Sequence, residues 1–166
     1  MKISWKKVDK NDQILIESWM SNIDRHNLCM EKQDWATTAH GINECLKDMK
    51  NGEFFELLGF VGSKPAVAMM LGIEESGNAL NLYNIILNPL FRGQGIGSQA
   101  IAEVFGNDNA MILKKAYSQI KVYTLPENQA MKKILLSQGF SAPTQDGDFL
   151  FYKKDLTKNN INEQGK

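Results

Sequence analysis

The stretch Leu87-Asn88-Pro89-Leu90-Phe91-Arg92-Gly93-Gln94-Gly95-Ile96-Gly97-Ser98 constrains this chain more than any other part of it. An apolar run ends at Asn88-Pro89, because proline has no N–H for a strand ladder. Glycines then come at every second position, and Ile96, Ala100, Ile101, Val104 and Phe105 begin a helical stripe that should pack on a sheet. Glycine lets the backbone turn its N–H groups inward and lets an anion approach without a Cβ in the way. The helix start adds free N–H donors and partial positive charge. A strand, a glycine loop and a helix in this order read as a cradle for a diphosphate, with the formal positive charge of Arg92 beside it.

Two better-known cradles fail on spacing. A dinucleotide fingerprint needs a third glycine where Ser98 stands. A Walker loop ends in Gly-Lys-Ser/Thr, and Ile96-Gly97-Ser98 has no lysine. The plainer alternative is a strand-to-helix turn that uses glycine for shape alone. That suits isolated glycines better than this whole arrangement.

The rest of the chain supplies strands before the loop and strand-helix units after it. Leu15, Ile16, Trp19, Met20 and Ile23 form a helical pattern capped by Asn11-Asp12. A polar joint, Asp24-Arg25-His26-Asn27, separates it from a second helix on Trp35, Ala39, Ile42, Leu46 and Met49, which ends near Gly52. Strands are expected over 54–61, 66–73 and 79–87, joined by turns at Gly62-Ser63 and Ser76-Gly77-Asn78 as an antiparallel meander. Leu80, Leu82 and Ile86 should share one face of the third strand, with Tyr83, Ile85 and Leu87 on the other. Residues 109–117 read as a further helical turn or two. A strand follows at 120–125, then a helix opened by Pro126 and stopped by Gly139, and a last strand at 149–153 after the Asp146-Gly147-Asp148 turn. Residues 1–156 read as one domain and 157–166 as a polar, disordered tail.

Composition excludes several functions. At 166 residues and 43% hydrophobic, the chain can fill one core. Its formal net charge is zero, so no global basic field exists to grip nucleic acid. No apolar run reaches the ~18–20 residues of a membrane span. The start, Met1 to Lys7, lacks the apolar segment of a signal peptide, so a cytoplasmic location is expected. Cys29 and Cys45 form no disulfide framework and read as semi-buried fillers. His26-x-x-Cys29 is one lone pair, so no metal site is expected.

The loop resembles the signature of the GNAT acetyltransferase family, Arg/Gln-x-x-Gly-x-Gly/Ala between the fourth strand and the next helix. Arg92, Gly95 and Gly97 carry the match, and Asn88-Pro89 and Phe91 match the common lead-in. A second family motif is similar to Val122 through Phe140: a strand, Glu127-Asn128, an amphipathic helix, then Gly139-Phe140. The resemblance implies an α/β (α+β mixed) fold. Its central, mostly antiparallel sheet of six to seven strands splays between the fourth and fifth, and helices cover both faces. It implies acetyl-CoA as cofactor. The pantetheine arm would pair with backbone groups of Ile85 and Leu87. The pyrophosphate would rest on amides of Arg92, Gly93, Gln94, Gly95, Ile96, Gly97 and Ser98. Asn128 would contact the arm or the thioester, with Lys132 and Lys133 either near the cofactor or simply facing water. Family members are often dimers, which makes a homodimer an expectation.

The implied reaction is transfer of an acetyl group to a primary amine of a small molecule or peptide, by direct attack in a ternary complex. A backbone N–H near Leu87 can serve the oxyanion. Many family members place a tyrosine seven residues after the asparagine as general acid. Here that position is Leu135, which cannot donate a proton. Tyr83 and Tyr123, on the strands that flank the expected cleft, are the candidate acids, with Tyr83 and Asn128 as the catalytic pair. Asn84 should face opposite to Tyr83. Glu56 is either an exposed strand residue or a base acting through water, and His26 and His40 belong to the acceptor side. An alternative reading is a catalytically weak acyl-CoA-binding sensor of the same fold.

Overall fold

The computed structural model describes residues 2–48, 52–74, 78–106 and 117–156. Among these, seven strands form one sheet: β1 (Ile3–Lys7), β2 (Gly52–Val61), β3 (Lys64–Glu74), β4 (Ala79–Leu87), β5 (Gln119–Thr124), β6 (Thr144–Asp146) and β7 (Phe149–Asp155). Their spatial order is β1-β2-β3-β4-β5-β7-β6, and β4 with β5 is the one parallel pair. Helices α1 (Lys10–Glu17), α2 (Asn22–Asn27) and α3 (Trp35–Asp48) come between β1 and β2 in the chain. Helix α4 (Ile96–Phe105) lies between β4 and β5, and α5 (Gln129–Ser137) between β5 and β6. No helix among the described residues is long and apolar enough to cross a membrane.

Strand alternation sends side chains to two separate cores. On one face Val67, Met69 and Leu71 of β3 meet the α4 stripe, Ile96, Ala100, Ile101, Val104 and Phe105, together with Leu135 of α5. On the other face Ala68 and Met70 meet Ile16 and Trp19 of the α1 region, Met30, and Trp35 and Ala39 of α3. The expected mixed sheet with helices on both faces is therefore present.

The N-terminal half departs from the sequence reading in several places. β1 was not expected, because an edge strand needs only one apolar face, and Ile3 and Trp5 are too few to show a period. The first helical pattern is two helices rather than one. Asp9, not Asn11-Asp12, caps α1: its carboxylate accepts from the N–H groups of Asn11 and Asp12, and Asp12 returns a bond to Asp9 N–H. The chain then breaks at Ser18, Ser21 caps α2, and the supposed polar joint Asp24–Asn27 is helical. Ile23 accordingly turns out to solvent. Met49, residues 76–77 of the second turn, 109–116 and the tail 157–166 lie outside the described residues.

The C-terminal half follows the reading more closely. The chain reverses after α5 with Gly139 at φ +78°, where Phe140 N–H bonds to Leu135 C=O and Gly139 N–H to Leu136 C=O. This is the αL stop that glycine provides. Pro126 does not open α5. Asn128 caps it instead, accepting from Met131 N–H at 3.2 Å. β6 was not anticipated: its three residues are all exposed and show no burial period.

Candidate active site

The site is built on a parting of strands. β4 and β5 pair only from Ala79 with Gln119 to Leu82 with Val122. Beyond that rung they diverge, and a cleft of about 520 Å³ opens between them. The divergence coincides with a bulge in β4. Met70 faces Asn84 and Leu71 faces Leu82, so Tyr83 has no partner on β3. A bulge adds one residue and re-aims the side chains that follow it.

That bulge corrects two expectations. Ile86 lies in the core beneath α1 and α3, whereas Leu80, Leu82, Ile85 and Leu87 belong to the core beneath α4 and α5. Alternation read without the bulge placed Ile86 with Leu80. Likewise Asn84 does not face away from Tyr83. The Tyr83 ring lies over Gly72, and the buried Asn84 amide is on that same side of the sheet, between Met30 and Met70; with its nitrogen assigned to face the neighbouring carbonyls it donates to Tyr83 C=O at 2.6 Å and Leu28 C=O at 3.2 Å. Gly72 makes this possible. A Cβ there would stand 2.6 Å from Tyr83 Cε2 and 2.8 Å from Leu46 Cδ1. A glycine inside a strand marks such a close approach, and that signal was present in the sequence.

The glycine loop lies at the far end of the cleft. Asn88 shapes its start, accepting from Leu90 N–H at 3.1 Å and donating to Pro65 C=O at 2.8 Å. Gly93 and Gly95 hold φ of +73° and +80°, and no atom lies within 4 Å of where their Cβ would be. Their need for glycine is thus conformational, and the space before them stays open to a ligand. Gly95 is the N-cap of α4 and contributes no side-chain cap, while the first helical bond runs from Gln99 N–H to Gly95 C=O. The N–H groups of Ile96, Gly97 and Ser98 therefore have no partner within the helix. A Cβ at Gly97 would stand 3.5 Å from the Ile134 and Leu87 side chains, an ordinary van der Waals contact.

Ile85, Leu87, Arg92, Gly93, Gly95, Ile96, Gly97, Ser98, Asn128 and Tyr83 all line this one cleft. Gln94 does not. Its amide turns back to Leu90 C=O at 2.7 Å. Arg92 lines the cleft, but its guanidinium is committed to protein. It donates to Leu87 C=O, to Trp19 C=O at 2.9 Å and to Asp24 at 3.1 Å. Burial of Asp24 works against ionisation, yet hydrogen bonds from Ser21 and the charge of Arg92 outweigh it and hold the carboxyl below its usual range. Lys133 reaches the cleft, whereas Lys132 bonds to Pro126 C=O at 3.1 Å.

Helix α2 spans the mouth. Asp24 ties it to Arg92 on the β4 side, and His26 ties it to Glu127 beyond β5, with Nε2 at 2.9 Å. His26 Nδ1 pairs with Glu31. Hydrogen bonds to Glu127 and then Glu31 raise the His26 pKa, which favours the charged imidazolium. Nothing in the sequence linked His26 to Glu127, which lies 101 residues away.

Five other residues are also placed. Leu135 is fully buried on the core side of α5, so the position of the family tyrosine faces core and not cleft. Glu56 lies between α1 and α3, accepting from Trp35 Nε1 at 2.8 Å and from Gln13, and its burial raises its pKa. It is absent from the cleft wall. His40 is exposed on α3. Cys29 and Cys45 are exposed, not semi-buried fillers: Cys29 takes the left-handed stop of α2 at φ +58°. Two phenols remain. Tyr83 and Tyr123 both line the cleft, and burial followed by neighbouring negative charge raises each above the usual phenol range. Both therefore keep their protons at neutral pH.

No family model matches the chain, and no curated protein matches it in sequence. Solved structures do match it in shape. An acetyltransferase of the GNAT family from Streptococcus pneumoniae superposes at TM-score 0.62 with 13% identity, covering 93% of this chain and 100% of that one. The ribosomal-protein-S18-alanine N-acetyltransferase from Escherichia coli gives 0.62 with 15% identity over 99% and 100%. YncA from Salmonella typhimurium, solved with its cofactor acetyl-CoA, gives 0.63 with 14% identity over 95% and 96%. With β4 and β5 parted over a glycine loop that opens α4, this chain has the fold of the GNAT acetyltransferases.

Proposed function

We propose that the protein is an N-acetyltransferase that moves an acetyl group from acetyl-CoA to a primary amine of a small molecule or peptide. One observation carries this reading: the parted β4 and β5 form a cleft that ends on the open, positive-φ loop and free N–H groups of the α4 start. The donor set fits a diphosphate, since it consists of amides at a helix N-terminus and nothing anionic lies on the loop itself. Residues Arg92 to Ser98 would hold the diphosphate, and backbone groups of Ile85 and Leu87 the pantetheine arm. A structural neighbour that holds acetyl-CoA supports the choice of ligand. When bound, acetyl-CoA supplies an activated acyl carbon.

The residues of this chain do the rest. The cleft orients an amine against the thioester, and positioning can supply up to ~7–11 kcal/mol of the barrier. Asn128, on the cleft wall, accepts from Met131 N–H through its side-chain oxygen, and its amide nitrogen is the donor we assign to the arm or the thioester. Tyr83, protonated and at the bulge, is the group we assign as proton donor to the leaving thiolate, with Tyr123 across the cleft as second donor. Arg92 acts mainly as a positioning residue that fixes the end of β4 and the α2 bridge.

Calorimetric titration with acetyl-CoA tests the reading. A micromolar Kd, about −8 kcal/mol, is expected, followed by acetylated product in a screen of primary amines. Failure to bind at millimolar ligand refutes it. Binding without transfer to any amine would favour the sensor reading, for which the buried Leu135 is the supporting observation.

A further inference from the structure

A second hollow, of about 180 Å³, lies where β4 and β5 share their last rung. Leu82, Tyr83 and Tyr123 line both it and the cleft, so the two spaces meet at the pair of phenols. The other walls of the hollow are Glu74, Asn81 and Lys121. Glu74 accepts from Asn81 Nδ2 at 2.7 Å and from Lys121 Nζ at 3.3 Å. The side chains of the charged pair are 27% and 26% exposed, half-sunk on three adjacent strands rather than free in solvent.

A half-buried ion pair contributes little by itself, because the loss of hydration offsets the attraction. A long contact of this kind is readily exchanged for a ligand that brings both charges. A carboxylate on the ligand satisfies Lys121, and an ammonium satisfies Glu74. A doubly cationic ligand would meet Lys121 as a like charge, and a purely anionic head would meet Glu74. The pair therefore selects a zwitterion, a head group with both signs on neighbouring atoms.

Resting on the acetyltransferase reading, we infer that the hollow lined by Glu74, Asn81 and Lys121 takes the α-amino-acid head of a diamino acid, whose distal primary amine enters the cleft between Tyr83 and Tyr123 and is acetylated there. The distal ammonium gives one proton to water. As its nitrogen forms the amide N–C bond and the thioester C–S bond breaks, its second proton ends on the departing thiol.

The test compares kcat/KM for lysine and ornithine with that for cadaverine and putrescine, which lack the carboxylate, and for 6-aminohexanoate, which lacks the α-ammonium. The diamino acids should lead each class by at least about tenfold, the worth of one charged hydrogen bond. Lys121→Met should remove the lead over cadaverine, and Glu74→Gln the lead over 6-aminohexanoate. Both variants should bind acetyl-CoA as the wild type does, which also reports an intact fold. Equal rates for the three classes, or variants that slow every acceptor alike, would overturn the inference. If acetyl-CoA binds and another kind of amine is preferred, the inference falls and the acetyltransferase reading stands. If acetyl-CoA does not bind, both fall.

Discussion

Replacing Gly95 by alanine isolates what the cradle asks of the backbone. No atom lies within 4 Å of the new methyl group, so no clash contributes. The penalty comes from φ +80° alone, where an L-residue pays ~1–2 kcal/mol. In a domain of this size that lowers Tm by roughly 2–8 °C. The residue can relieve the strain only by leaving the left-handed region. That would swing the N–H groups of Ile96, Gly97 and Ser98 off their common direction. Gly97→Ala is the matched control. Its methyl group meets side chains at 3.5 Å in the first turn of a helix, where alanine is as good as glycine or better. Melting curves and calorimetry with CoA on both variants check the argument. Gly97→Ala should keep its Tm and its affinity, while Gly95→Ala should melt a few degrees lower and bind CoA at least about tenfold more weakly, a change of ~1.4 kcal/mol. A Gly95→Ala protein that binds CoA as well as the wild type would refute the assignment of this loop as the diphosphate cradle.

Four further outcomes are expected. Tyr83→Phe should lower kcat by ~10²-fold with little change in CoA affinity, as loss of a general acid does; steady-state rates that stay unchanged would move that role to Tyr123. Gly72→Ala should push the Tyr83 ring off β3 and destabilise the fold by ~1–3 kcal/mol, as over-packing does, measured by denaturant unfolding. Leu135→Tyr should also destabilise by ~1–3 kcal/mol and bring no gain in turnover, because the position faces core; a faster enzyme would contradict this placement. The His26 bridge should be pH-dependent. Its folded pKa is raised above 6.5, so its stabilising contribution is complete below the unfolded value and fades as pH climbs through the folded one. The Tm gap between wild type and His26→Gln should therefore be widest below about pH 6.5 and close at higher pH; a His26 ring that titrates below 6.5 by NMR would rule this out.

Elements whose signals are local can be read directly from the sequence. Proline and glycine at 88–97 act through their own backbone limits, so the strand-loop-helix unit could be read without neighbours. The α4 stripe and the Gly139 stop are legible for the same reason. Tertiary structure decided what depends on partners far along the chain. The bulge at Tyr83 exists because β3 and β4 differ by one residue in register, and neither strand shows this alone. It turned Ile86 to the opposite core and put Asn84 on the side of Tyr83. Arg92 looked like a phosphate ligand until packing brought Trp19 and Asp24 to its guanidinium. Charges carry no period and no address in a sequence. Only the folded sheet sets Glu74 beside Lys121, and only the α2 bridge sets His26 beside Glu127.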